Sequence, residues 1–115
     1  MQVWEASEGV EGLWRVRNEP AFDLLVVDVH MPTMDGLTFI REVKNVPGYE
    51  RTPIVVVTSD GSRERRLQGR ILGISAWLLK PPNMEVLAKS ILASLYRTQL
   101  EKTAGNGPES VKDDG

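Results

Sequence analysis

The sequence predicts an α/β domain, a short parallel sheet with helices laid over its faces. Three observations predict it. The runs Leu24 to Val27 and Ile54 to Val57 are apolar at every position and rich in branched residues, as strands are when both of their faces are buried. Between and after them lie segments whose apolar residues recur at helical spacing. Each connection is longer than the dozen or so residues that a parallel crossover requires.

In chain order, Gln2 to Glu5 is a weak strand candidate, and Ser7 is placed to cap a helix running through Val10, Leu13, Trp14 and Val16. Pro20 ends that helix. Asp23 to Asp28 is the first strong strand. Residues 35 to 46 put Leu37, Ile40 and Val43 on one helical face, and Pro53 to Thr58 is the next strand. Residues 63 to 72 bring Leu67, Ile71 and Leu72 to one face, and Gly73 follows where a left-handed C-terminal residue is expected. Ala76 to Lys80 repeats the strand design. Residues 84 to 100 carry Leu87, Ala88, Ile91, Leu92 and Leu95, the face of a helix that packs on the sheet. Thr103 to Gly115 is polar, with Gly, Pro and charges, and reads as a disordered tail. No internal repeat is present. One domain over residues 1 to 98 is therefore expected, with residues 99 to 115 supplying the end of the last helix and the tail.

Composition narrows the function. Lys and Arg number 14 against 16 Asp and Glu, a net charge of −2, which lacks the basic excess that a phosphate backbone demands, so nucleic acid is not an expected direct partner. The absence of cysteine removes disulfides, thiol catalysis, zinc-thiolate sites and iron–sulfur clusters together. The longest of the strand-like apolar runs is four residues, far short of the roughly 20 that span a bilayer. No membrane partner is expected, and Glu5 and Glu8 close behind Met1 do not read as a signal peptide.

The chemistry should sit at one edge. Parallel strands all end on the same side, and ligands bind outside those carboxyl ends. Three successive strands end in Asp28, Thr58 and Lys80, which brings a carboxylate, a hydroxyl and an ammonium together. The plainer alternative is that polar residues mark where three strands leave the core.

The local detail decides between these readings. Asp28 is followed by Met31-Pro32 and then Gly36, and Lys80 is followed by Pro81, with Trp77 three residues before it. In these motifs, taken in order over roughly residues 2 to 98, the chain resembles the response-regulator receiver domain, the CheY-like family that accepts a phosphoryl group on aspartate. The resemblance implies a flavodoxin-like doubly wound fold. It makes Asp28 the nucleophile, Lys80 and Thr58 the contacts to phosphoryl oxygens, and Pro81 a cis proline that aims Lys80 inward. Trp77 takes the position of the family's switch aromatic, although an aromatic in a strand is as often simply core. Asp28 and the backbone carbonyl of His30 would face a magnesium ion, while the His30 side chain has no catalytic role. Pro82 stands where the family often has Phe. Arg63, Arg65, Arg66 and Arg70 would ordinarily be a solvated face, but this helix belongs to the family's signalling surface.

The sequence also departs from the family. Family members open with a strand ending in two acidic residues and a first helix, and Gln2 to Glu5 matches only the strand that follows them. The acidic pair ligates magnesium, so magnesium binding is expected to be weak or absent, with Glu5 the one candidate substitute. In the family's strand order, 2-1-3-4-5, the absent strand lies between two that are present. An open slot would strand backbone donors and acceptors at about 1 to 3 kcal/mol each, against a stability of roughly 5 to 15 kcal/mol. The sheet is therefore expected to be rearranged, the first β-α unit moving inward against the Asp28 strand, or strand-exchanged with another chain, either route favouring a homodimer.

The expected function is a cytoplasmic two-component receiver, not an enzyme, taking phosphate from a sensor histidine kinase or phosphotransfer protein and signalling to a downstream protein. No DNA-binding output domain is expected after residue 98. The alternative is a degenerate receiver acting as an interaction or dimerisation module without phosphorylation. A haloacid-dehalogenase-like phosphatase would need a second Asp where His30 stands, and a flavodoxin would need a Ser/Thr/Gly-rich phosphate loop.

Overall fold

The computed structural model describes residues 3–6, 8–19, 21–31 and 34–106, the last six by backbone alone. Strands and helices alternate: β1 (Val3–Ala6), α1 (Gly9–Asn18), β2 (Leu24–Val27), α2 (Gly36–Lys44), β3 (Ile54–Thr58), α3 (Arg63–Ile71), β4 (Ala76–Leu79) and α4 (Met84–Asn106). The strands form one sheet in the order β1-β2-β3-β4, with every neighbouring pair parallel. Gln2, Ser7, Pro20, Pro32 and the tail from residue 107 onward lie outside the described residues.

The vacant slot anticipated from the sequence is closed within a single chain. Val3 to Ala6 pair with Leu24 to Val27 in register, so β1 sits directly against the Asp28 strand. Of the two solutions left open, the chain takes the inward shift rather than strand exchange. The physical reason is the row of backbone donors and acceptors along β2, which finds partners in β1 at no cost in association.

Alternation along the strands divides the core in two. Leu25, Val27, Ile54 and Val56 point to one face, where α1 and α2 deliver Leu13, Val16, Leu37, Phe39, Ile40 and Val43. Leu24, Val26, Val55 and Val57 point to the other, where α4 presents Leu87, Ile91 and Leu95. Helices thus cover both faces, and the fold is doubly wound. The second covering is incomplete, because one helix about 10 Å wide cannot roof four strands spaced about 4.8 Å apart. An open apolar cavity of about 790 Å³ remains there, lined by Val3, Val26, Val57, Met84, Leu87 and Ile91 among others.

Several local expectations are corrected. Glu8 caps α1, its carboxylate accepting the Glu11 N–H at 2.8 Å, a task assigned to Ser7 on sequence. Val10 and Trp14 lie on the outer side of α1, more than half exposed. Leu67 and Ile71, expected in the core, are 52% and 77% exposed. The reason is that α3 approaches the sheet through Gly69, which packs on Ile74 and Trp77, and β4 is an edge strand, only half-buried. Ala88 and Leu92 likewise face outward from α4. That helix begins where the Asn83 carboxamide accepts the Glu85 and Val86 N–H groups at 2.9 and 3.1 Å, and it runs on to Asn106 rather than giving way to a tail at Thr103. Gly73 follows α3 at φ +84°, the left-handed conformation read from the sequence and open to glycine without strain.

Candidate functional site at the carboxyl edge

The edge assembles as the topology requires. Asp28 follows β2, Thr58 ends β3 and Lys80 follows β4, and because these three strands are adjacent and parallel their ends meet. Lys80 Nζ donates to Asp28 Oδ2 at 2.5 Å across 52 residues of sequence. The His30 N–H donates to Asp28 Oδ1 at 2.9 Å. Thr58 is fully buried, and its Oγ1 accepts the Asp60 N–H at 3.2 Å. The Lys80–Pro81 bond is cis.

Asp28 is held by the backbone behind it. The Gly36 N–H donates to the Val29 carbonyl at 2.8 Å, and a Cβ at Gly36 would run into Val29 Cα and the Asp28 carbonyl oxygen. The start of α2 therefore rests on the main chain of Asp28 and Val29, which explains the glycine eight residues after the aspartate.

Electrostatics favour the ionised form of Asp28. Partial burial pushes the Asp28 carboxyl up, but the Lys80 hydrogen bond, the His30 N–H, the Lys80 charge and the Thr58 hydroxyl together outweigh it and hold the group below its ordinary 3.8. A carboxyl whose pKa is lowered on folding stabilises the protein above its unfolded pKa, and that stabilisation is lost as pH falls through the folded value. The stability gap between the wild type and Asp28→Asn should therefore be constant above about pH 5 and close below about pH 4. Denaturant titrations of both proteins from pH 7 to 3 check this, and a gap that widens on acidification contradicts it.

Around this centre lies a charged network that the sequence did not disclose. Asp60 lies beside His30, with Oδ2 3.5 Å from His30 Nε2, and its Oδ1 accepts the Ser62 N–H at 2.9 Å. The Ser62 backbone and side chain hold the Asp60 carboxyl below its ordinary value against the opposing effect of burial, with the His30 and Arg65 charges adding to the lowering. Arg65 is ion-paired with Asp35, the residue that caps α2. Trp77 lies against the α1–α2 core, while its indole N–H donates to the Asp60 carbonyl at 3.0 Å. The ring thus packs on the core, as the plainer reading of Trp77 expects, and the nitrogen reaches the loop after Thr58. One signal for Arg65 was available, since a cation in the first turn of a helix opposes the helix dipole and needs a local acid.

The donor set does not fit magnesium. Among the described residues no three His, Cys, Asp or Glu side chains converge, and both Asp28 oxygens are already engaged, by Lys80 and by the His30 N–H. Glu5, which faces a pocket of about 90 Å³ together with Asp28, His30 and Lys80, is a single exposed carboxylate, whereas this ion needs near-octahedral oxygen coordination.

A model of the response regulator receiver domain family matches residues 1–92. The chain belongs to that family. Relatives of this receiver domain include a gliding motility regulatory protein of Myxococcus xanthus, 37% identical over 90 residues, which cover 77% of this chain and 12% of that protein. Response regulator MprA of Mycobacterium leprae is 37% identical over 109 residues, 94% of this chain and 46% of that protein. The receiver domain thus spans less than half the length of either relative. Among solved structures, a CheY-like receiver domain protein of Methanospirillum hungatei JF-1 is 26% identical with a TM-score of 0.75, covering 82% of this chain and 73% of that one. Chemotaxis response regulator CheY4 of Vibrio cholerae is 27% identical with a TM-score of 0.72, covering 81% and 97%. No helix among the described residues is long and apolar enough to cross a membrane.

Proposed function

We propose that this response regulator receiver takes a phosphoryl group onto Asp28 from a histidine kinase or phosphotransfer protein and passes the change to a downstream protein. The observation that carries this reading is the Lys80 ammonium 2.5 Å from the Asp28 carboxylate. A carboxylate oxygen attacks phosphorus, the bond from phosphorus to the donor's leaving atom breaks, and an acyl phosphate forms on Asp28. Phosphoryl transfer asks little of the protein beyond positioning and positive charge on the transferring oxygens. Lys80 supplies the charge, and the buried Thr58 hydroxyl supplies a further donor. Magnesium contributes little in this reading, because among the described residues Glu5 is the one further carboxylate facing the pocket beside Asp28. The product is a signal rather than a turned-over substrate.

Self-association belongs to the same proposal. The inward shift of β1 satisfies the backbone, and the apolar cavity beside α4 is what a homodimer would cover. Light scattering of the purified chain checks this.

That no three metal-ligating side chains converge among the described residues favours one competing reading, an interaction module that works without phosphorylation. Intact mass after incubation with a small-molecule phosphodonor decides between the two. One phosphoryl adduct is expected, with a yield that changes less than about threefold when a chelator replaces magnesium, because a site with only Asp28 and the exposed Glu5 as carboxylates gains little from the ion. No adduct, under conditions that modify an intact receiver, overturns the acceptor reading in favour of the module.

A further inference from the structure

Two loops form the walls of the acceptor site, one after β2, described at residues 28–31 and 34–36, and one after β3, residues 58–63. They share no backbone ladder beyond the ends of their strands. Two contacts between side chains tie them among the described residues: His30 Nε2 lies 3.5 Å from Asp60 Oδ2 at the exposed rim, and Arg65 reaches a carboxylate of each loop. Arg65 stands in the first turn of α3, its own N–H capped by Ser62 Oγ at 3.4 Å, and its guanidinium reaches back over the site. Nη2 is ion-paired with Asp35, and Nε lies 3.9 Å from Asp60 Oδ2.

The Asp35 carboxylate is committed to this contact. Asp35 is the cap residue of α2, yet its side chain makes no capping hydrogen bond. An aspartate at that position ordinarily accepts from the helix's free N–H groups, so its oxygens have been drawn to Arg65 instead. Gly36, the next residue, is pressed against the Asp28 and Val29 backbone. Whatever holds Asp35 therefore bears directly on the acceptor's main chain.

The other arm is unfinished. Arg65 Nε is buried and has no hydrogen-bond partner. At 3.9 Å the Asp60 carboxylate is within ion-pair range but beyond a hydrogen bond, and a closure of about 1 Å would complete it. Asp60 belongs to the loop that follows Thr58, and its N–H is the group bonded to the Thr58 hydroxyl. A fork with several fixed donors suits a bridge between two carboxylates, which a lysine's single ammonium serves less well.

We propose that Arg65 is a positioning residue for the acceptor, a clamp that ties the Asp28 loop, through Asp35, to the Thr58 loop, through Asp60. It touches neither the acceptor nor the phosphoryl group. Its effect is to keep the Asp28 carboxylate and the Thr58 hydroxyl in mutual register, and its orphaned Nε gains its bond as the Thr58 loop closes. The clamp's effect on rate rests on the acceptor reading above, whereas its effect on loop order does not.

The test uses the full chain as wild type, Arg65→Ala, Arg65→Lys, Asp35→Asn and the Arg65→Ala/Asp35→Asn double variant. Hydrogen exchange is followed at the Gly36 and Asp60 amides, both hydrogen-bonded here, beside adduct formation by intact mass. Arg65→Ala and Asp35→Asn should each speed exchange at these two amides about tenfold, leave the core amides of β3 unchanged, and slow adduct formation about tenfold. The double variant should be no worse than either single one, as for partners in one interaction, and Arg65→Lys should recover part of the rate. Unchanged exchange at Gly36 and Asp60, or a uniform rise across the whole domain, overturns the clamp. A wild type that forms no adduct overturns the acceptor reading alone, and the exchange data still decide the clamp.

Discussion

Lys80→Ala is expected to slow formation of the Asp28 adduct by about 10² to 10³-fold, the usual cost of removing one preorganised group that stabilises developing charge. The ammonium lies against the Asp28 carboxylate, and its side chain is about half exposed, so the variant should fold and the loss should be one of rate. A second consequence follows from the same contact. Without Lys80 the Asp28 carboxyl loses both the hydrogen bond and the charge that hold its pKa down, and its pKa rises. Lys80→Arg keeps the charge but changes the reach and shape of the donor, and should fall between the two. A time course by intact mass, at equal folded fraction judged by circular dichroism, measures all three proteins. A loss of less than about fivefold in Lys80→Ala would mean that the charge is not what drives the transfer.

Gly36→Ala should destabilise the domain by about 3 kcal/mol, the upper end of what overpacking usually costs. The added methyl would meet Val29 Cα and the Asp28 carbonyl oxygen. Both are backbone atoms of a segment anchored to the sheet, and neither can swing aside as a flexible side chain would. Relief would require α2 to back away, stretching the 2.8 Å hydrogen bond from the Gly36 N–H to the Val29 carbonyl and disturbing Leu37, Phe39 and Ile40, all buried in the larger core. With a total stability of roughly 5 to 15 kcal/mol, a shift of that size lowers Tm by about 12 to 24 °C in a domain near 100 residues. Thermal unfolding followed by circular dichroism gives the number, and a drop under about 4 °C would show that the contact yields easily.

The strands most legible in the sequence were those buried on both sides. Leu24 to Val27 and Ile54 to Val57 carry no polar residue and became β2 and β3 at the centre of the sheet. The three strand-end residues could be read together because parallel topology alone decides that Asp28, Thr58 and Lys80 share an edge. The position of β1 was legible only as a pair of alternatives. Val3 to Ala6 would pair equally well with β2 or with a strand from another chain, and nothing in four residues selects between them. Edge elements were the least legible. The apolar residues Leu67 and Ile71 obey helical spacing as faithfully as Leu37 and Ile40, but at the border of the sheet there is no neighbour to cover them.

The charged network was missed for a different reason. Asp35 and Arg65 are 30 residues apart, and a pattern of four arginines around α3 looks the same whether one of them is tied down or all are solvated. Pairing between distant charges is a property of the assembled loops. Periodicity, the main tool of sequence reading, carries no information about it. The inward shift of β1 brings one carboxylate, Glu5, to a small pocket shared with Asp28, a placement that depends on which strand β1 pairs with and so was not legible in advance.

Whether Asp28 itself carries the phosphoryl group is read out by reductive trapping. The chain is incubated with a small-molecule phosphodonor and quenched into borohydride, which converts an acyl phosphate on aspartate to homoserine, and the digested peptides are then sequenced by mass spectrometry. The account predicts homoserine at position 28 and at no other aspartate, Asp35 and Asp60 included. Homoserine at another position, or at none while the intact protein gains a phosphoryl mass, would contradict it.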